Sequence, residues 1–171
     1  IQSILNQTFD DFEFIIVDDQ STDDSVNIIQ SYTDRRIKLI STPRNIGRAG
    51  ADDYAIQFAR GEYIAKMDSD DIAYPDWLKK TFKFLNNNSS YKAVGTFAVV
   101  IDKESSIYDL LKRPVDFKGV LFNIFFGTSM LHVGSLIKKD ALKSIGGYNE
   151  NFKIVQDFEL WSSFIRNGFK I

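Results

Sequence analysis

A chain of 171 residues, 44% hydrophobic and 26% charged, is long enough for one domain with a sizeable core. Its net charge of -2, with acids and bases interspersed, offers no basic stripe and argues against nucleic acid as a partner. Without Cys there is neither a disulfide framework nor a thiolate site, and no apolar run approaches the roughly 20 residues that span a bilayer.

In chain order, residues 1–7 read as the tail of an amphipathic helix, with Ile1, Ile4 and Leu5 at helical spacing. Phe14-Ile15-Ile16-Val17 is a continuous apolar run, the pattern of a strand buried on both faces of a parallel sheet, and it ends in Asp18-Asp19. A helix follows with Val26, Ile29 and Tyr32 on one face, then a short strand at 37–40. Residues 43–48 form a loop and 49–59 a helix. A strand at 63–67 runs straight into Asp68-Ser69-Asp70-Asp71. Pro75 marks the start of a helix whose apolar face holds Trp77, Leu78, Phe82 and Leu85, and 93–101 reads as one more strand.

Strand and helix thus alternate over the first hundred residues, which predicts an α/β fold with a mostly parallel central sheet flanked by helices. Residues 102–116 read as a long excursion and 117–126 as a helix whose Phe, Leu and Val side chains are mostly core; the minority reading is an exposed face that touches a lipid or an acceptor. A strand at 135–138, a short helix at 140–145 stopped by Gly146-Gly147, and a last helix opened by Gln156-Asp157 complete the reading. The chain starts inside a helix and stops as a strand begins, the pattern of a segment missing material at both ends.

The carboxylates carry the chemistry. Burying an unpaired charge is expensive, so acids at the end of an apolar strand call for a partner. Asp68 and Asp70 lie two apart across a small residue, and a turn can aim both at one point. Carboxylate oxygens suit hard cations such as Mg²⁺ or Mn²⁺, which complete their shell with water and substrate phosphates. A strand-end turn with local hydrogen bonds is the competing reading. Both acid clusters sit at strand carboxyl ends, where open α/β sheets bind ligands, and this favours a site. Asp157, at the start of a helix, has simple capping as its bland alternative.

Ile15-Ile16-Val17-Asp18-Asp19-Gln20-Ser21-Thr22, Asn45-Ile46-Gly47, Arg60-Gly61-Glu62-Tyr63-Ile64, Met67-Asp68-Ser69-Asp70-Asp71, Gly146-Gly147-Tyr148 and Gln156-Asp157-Phe158-Glu159-Leu160-Trp161 occur in this order. In that order and spacing they resemble the inverting family 2 nucleotide-sugar glycosyltransferases of the GT-A fold, a Rossmann-like single domain. The resemblance implies a donor-binding half at 1–101 and an acceptor-side half at 102–171. It implies that Asp19 accepts a hydrogen bond from the nucleotide base, that Asp68 lies by the ribose, that Asp70 reaches a divalent cation (Mn²⁺ or Mg²⁺), and that Asp157 is the general base. It further implies a nucleotide-sugar donor such as a UDP-sugar, a glycan or lipid-linked acceptor, polysaccharide or cell-wall synthesis, and a cytoplasmic site at the inner face of the membrane with peripheral association.

Departures from the pattern are Gln156, where the family usually has Glu, and Asp52-Asp53, where many members have Arg-Asn or Leu-Asn. Acids at 52 and 53 forgo any phosphate contact from there; Arg48 or Lys66 could compensate for it, but both read as ordinary surface cations, and His132, which could contact a diphosphate, reads as structural or surface. Three other readings compete, of which nucleotidyl transfer on a similar fold lacks the Gly-rich, basic loop it usually brings after the first strand. The second is a nucleotide-binding domain of this type that no longer transfers. The third is a receiver signalling domain, which also ends a strand in Asp-Asp and holds Mg²⁺ but takes its phosphate on a lone Asp.

Overall fold

Two apolar runs set the frame of the first half of the chain. The computed structural model, which describes residues 1–149, 151–152 and 154–171, opens with a helical turn, α1 (Gln2–Leu5), followed by β1 (Phe14–Asp18), α2 (Ser25–Gln30) and β2 (Ile37–Ser41). Then come α3 (Gly47–Phe58), β3 (Tyr63–Ala65), α4 (Trp77–Asn87), β4 (Ala93–Val94), β5 (Ala98–Ile101) and β6 (Ile107–Leu111). The chain continues with α5 (Phe117–Asn123), β7 (Leu136–Lys138), α6 (Lys139–Ser144) and α7 (Gln156–Arg166). No helix of the described residues is long and apolar enough to cross a membrane.

The expected α/β class holds. The parallel pairing expected of its sheet is narrower: among the described residues it is confined to β1 with β2, in register from Phe14 opposite Ile37, and to a bridge between Tyr91 and Lys170. β7 lies between β3 and β4 and is antiparallel to both, so those two strands run parallel to each other across a reversed neighbour. That mixed arrangement is common in α/β sheets. The apolar residues of β1 are half-buried rather than covered on both faces.

Two other expectations are corrected. The single strand at 93–101 is two strands, broken at Gly95, where any Cβ would stand 2.3 Å from the Met130 side chain. The excursion at 102–116 contains β6, which forms a hairpin with β5. The Asp102 carboxylate closes its turn by accepting the Glu104 and Ser106 N–H groups.

The core lies where α3, β4, β7, α6 and α7 meet, with Ile137, Leu142, Leu160, Trp161 and Phe164 all fully buried. A side chain of the Leu or Phe kind contributes about 1.5–3 kcal/mol when fully buried. Packing therefore fixes α7, and with it the position of Asp157, more strongly than any cap could. Gln7 joins α1 to α4: its amide donates to the Tyr74 carbonyl at 2.7 Å and its oxygen accepts the Leu78 N–H at 3.0 Å. The helix at 117–126 is shorter than expected and its aromatic residues are not mainly core. Val120 is buried, whereas Phe122, Phe125 and Phe126 are 70, 83 and 74% exposed. One side of a seven-residue helix suffices for its packing.

Candidate active site

β1 delivers Asp18 and Asp19 to its carboxyl end. Asp18 is buried and accepts the Ser21 N–H at 3.0 Å, and the Ser21 hydrogen bonds hold its carboxyl below the usual range. Asp19 does different work. Its carboxylate accepts the Thr42 hydroxyl at 2.7 Å, the Ile46 N–H at 2.9 Å and the Gly47 N–H at 2.8 Å. These amides belong to the first turn of α3, whose own N-cap, Ile46, has no side-chain cap. Asp19 therefore satisfies donors that a helix start leaves orphaned. The geometry leaves little of the carboxylate free for a base.

Asp19→Ala is expected to cost stability, because hydrogen bonds to a charged group contribute about 1.5–3 kcal/mol each. Thermal unfolding of the variant checks this. An unchanged midpoint would show that the clamp on α3 carries no weight.

β3 delivers the second cluster. Its line continues through Lys66, whose N–H donates to the Ser135 carbonyl and whose carbonyl accepts the Gly134 N–H. The Asp71 N–H reaches the Asp68 carbonyl in a turn, and this turn brings carboxylate oxygens of Asp68, Asp70 and Asp71 within 4.8 Å of one another. Ligand oxygens about 2.1 Å from an octahedral cation lie about 3.0 Å apart when adjacent and about 4.2 Å when opposite, so the trio would close inward to hold such an ion. Asp70 and Asp71 are exposed. Burial raises the Asp71 carboxyl, and the neighbouring Asp70 and Asp68 charges raise it further. A bound cation would relieve that repulsion.

Arg48 and Lys66 are not ordinary surface cations. The Lys66 ammonium bonds the Asp52 carboxylate at 2.7 Å and Asp68 Oδ1 at 3.3 Å, and its side chain is only 17% exposed. The Arg48 guanidinium bonds Asp68 Oδ2. Burial would raise the Asp68 carboxyl, but the Lys66 charge and then Arg48 outweigh it, and the net shift is downward. For Asp52 burial wins, and its carboxyl is raised despite Lys66. The acids at 52 and 53, which stand where the family pattern has Arg-Asn or Leu-Asn, both have structural partners. Asp53 Oδ1 accepts the Tyr148 N–H at 3.0 Å. Gly147, with φ of +78°, passes so close that a Cβ there would lie 2.1 Å from the same oxygen. That contact requires glycine at 147.

Asp157 is the second residue of α7, not its cap. Its Oδ1 accepts the Phe158 N–H at 2.8 Å and its Oδ2 is 3.4 Å from the Thr128 hydroxyl. The Arg48 charge links Asp157 to the strand-end cluster: burial opposes that charge, while Asp68, then Asp52 and Asp157, more than offset the cost. His132 is structural. It is buried, its Nε2 is 2.7 Å from the Tyr148 hydroxyl, and burial followed by the nearby Lys66 charge pushes its pKa down to about 3. It stays neutral at physiological pH. Gln156 is 7% exposed, a depth at which a neutral amide costs less than a carboxylate.

The sequence model described as glycosyl transferase family 2 matches residues 1–146. The chain is 36% identical, over 99% of its length, to an uncharacterized glycosyltransferase of Methanocaldococcus jannaschii, and spans 60% of that relative. It is 28% identical over 99% of its length to an Escherichia coli protein, UDP-Glc:alpha-D-GlcNAc-diphosphoundecaprenol beta-1,3-glucosyltransferase WfaP, and spans 65% of it. Among solved structures, S. aureus TarS in complex with UDP superposes with a TM-score of 0.72 at 21% identity, over 94% of this chain and 48% of that one. A mannosyltransferase from Pyrobaculum calidifontis in complex with GDP-Man and Mn²⁺ gives 0.72 at 18% identity, over 99% of this chain and 48% of that one. At such identities these two likenesses carry the fold.

Proposed function

The chain belongs to glycosyl transferase family 2, and we propose that it holds the donor site and the general base of an enzyme that moves a sugar from a nucleoside-diphosphate sugar to an acceptor hydroxyl, with inversion. The observation that carries this reading is the convergence of Asp68, Asp70 and Asp71 oxygens within 4.8 Å beyond β3, with Arg48 bridging electrostatically to Asp157.

Asp68, Asp70 and Asp71 would hold a divalent cation, Mn²⁺ or Mg²⁺, which when bound neutralises the charge that grows on the departing diphosphate. The remaining work falls to the chain's own groups. Asp157 takes the proton of the acceptor hydroxyl as that oxygen bonds to the anomeric carbon. The bond from that carbon to the phosphate oxygen breaks in the same displacement, and the nucleoside diphosphate leaves. One base and no protein nucleophile give inversion. Thr128 orients the Asp157 carboxylate through its hydroxyl. Asp19 and Asp68 border the nucleotide, with Asp19 offering the base whatever acceptor capacity the α3 clamp leaves.

UDP and GDP are the bases to try, since TarS was solved with the first and the mannosyltransferase with GDP-Man and Mn²⁺. A lipid-linked acceptor in cell-surface polysaccharide synthesis is the matching acceptor class, as the name of the Escherichia coli relative states for that protein. Residues 102–171 form the acceptor-side half, and the exposed Phe122, Phe125 and Phe126, close in sequence to the exposed Lys112 and Lys118, support peripheral contact with the inner face of a membrane.

A thermal-shift panel of nucleoside diphosphates on the intact protein, with Mn²⁺ and with EDTA, tests the reading. A ligand at a hundred times its Kd stabilises by about 2.7 kcal/mol, which is roughly 5–10 °C for a domain of this size. One nucleotide is expected to give that shift with Mn²⁺ and much less with EDTA. Equal shifts in both would remove the cation, and no shift with any nucleotide would remove the donor site.

A further inference from the structure

Both oxygens of Asp68 are taken by cations of the chain itself, Lys66 on Oδ1 and Arg48 on Oδ2. The two cations are held differently. Lys66 sits on a strand line fixed by backbone hydrogen bonds, is 17% exposed and is tethered to Asp52, which is 15% exposed. The Arg48 side chain is 50% exposed, and among the described residues its one hydrogen-bond acceptor is Asp68. Lys66 cannot leave without stranding a buried carboxylate, whereas Arg48 can swing into water at little cost.

A divalent cation that uses Asp68 comes up beside one of these two cations, of which Arg48 is the one able to move, and like charges at that separation repel. The charge balance points the same way. Two cations, Arg48 and Lys66, face four carboxylates, Asp52, Asp68, Asp70 and Asp71, and the charge of Asp157 also reaches Arg48. A divalent cation offsets most of that excess negative charge, and a donor diphosphate then brings fresh negative charge with one unengaged guanidinium beside it. A guanidinium fork matches phosphate oxygens in pairs.

We propose that Arg48 is a resident counter-ion of Asp68 that a divalent cation displaces, and that the displaced guanidinium then binds the diphosphate of the donor. Arg48 is thereby a donor-binding residue whose free-state contact holds Asp68 in place until the cation arrives. The inference rests on the cation site proposed above.

The test separates the two by sign. Binding of Mn²⁺ alone to the intact protein is measured by electron paramagnetic resonance, and binding of UDP and GDP at saturating Mn²⁺ by calorimetry, for the wild type, Arg48→Met and Asp70→Asn. Arg48→Met is expected to bind Mn²⁺ alone about two- to fivefold more tightly, the worth of a released exposed ion pair. The same variant should bind the nucleoside diphosphate about tenfold or more weakly, the worth of a lost charged hydrogen bond. Mn²⁺ binding that is unchanged or weaker in Arg48→Met, or an unchanged nucleotide affinity, overturns the exchange. If Asp70→Asn leaves Mn²⁺ binding intact, the cation site itself is wrong and the exchange falls with it. Because Arg48 is half exposed, Arg48→Met is expected to fold; matching thermal unfolding confirms it, and Arg48→Lys, which keeps charge without the fork, should fall between the two on nucleotide affinity.

Discussion

Asp70→Asn is expected to lower sugar transfer by at least about a hundredfold while the protein unfolds at its wild-type temperature. The structural half of that expectation follows from exposure. Asp70 is exposed and makes no side-chain hydrogen bond among the described residues, and surface substitutions away from such contacts stay within about 0.5 kcal/mol. The repulsion that Asp70 exerts on Asp71 is relieved, so any shift should be slightly upward. The chemical half follows from what the carboxylate is for. A cation that neutralises a leaving diphosphate supplies several kcal/mol to the transition state, and each 1.36 kcal/mol is a factor of ten in rate. An amide offers one neutral oxygen in place of a carboxylate. Turnover at saturating donor and Mn²⁺, measured beside thermal unfolding, checks both halves. Activity within a few-fold of wild type would show that Asp70 holds nothing needed for transfer.

The parts of this protein that were legible in its sequence are those set by local chemistry. Apolar runs ending in acids announced β1 and β3 and put Asp19 and Asp68 at strand ends, because backbone period and burial act within a few residues. The β5–β6 hairpin was hidden for the complementary reason. Ile107, Tyr108 and Leu110 are all exposed, so the strand lacks the alternation that betrays a half-buried one, and only the Asp102 turn marks it.

The cations were misread because their partners are distant in sequence. Lys66 meets Asp52 fourteen residues away and Arg48 meets Asp68 twenty away, and only the packing of α3 beside the β3 line joins them. One signal was available. A Lys between Ala65 and Met67, on a strand about to end in acids, is a charge entering a covered position, and such a charge needs a partner. Asp52 and Asp53, on the helix just before it, were the candidates. The clamp of Asp19 on α3 was likewise out of reach, since Asn45-Ile46-Gly47 carries no side chain that caps its own helix, and the missing cap was the hint.

Asp157→Asn separates catalysis from architecture at the other end of the site. If Asp157 served only the helix, the loss of its charge from the first turn of α7 would cost about 0.3–1 kcal/mol through the helix dipole. Asn keeps an Oδ1 to accept the Phe158 N–H, and the Thr128 hydroxyl can turn to accept from the new amide, so neither contact is forfeited. α7 itself stays put because Leu160, Trp161 and Phe164 anchor it in the core. Donor binding is expected to change little, since the Asp157 carboxylate bonds Phe158 and Thr128 and none of the strand-end acids. Transfer should not survive. An amide cannot take the proton of a hydroxyl, and a general base supplies about 10² to 10⁴ in rate, equal to about 2.7–5.5 kcal/mol. That range lies well above the dipole cost, so the two explanations cannot be confused. The measurement is kcat with a working donor and acceptor, alongside nucleotide affinity and thermal unfolding of the same preparation. Wild-type turnover in Asp157→Asn would leave Asp157 with a helix-start role alone and would move the search for the base to another carboxylate of the site.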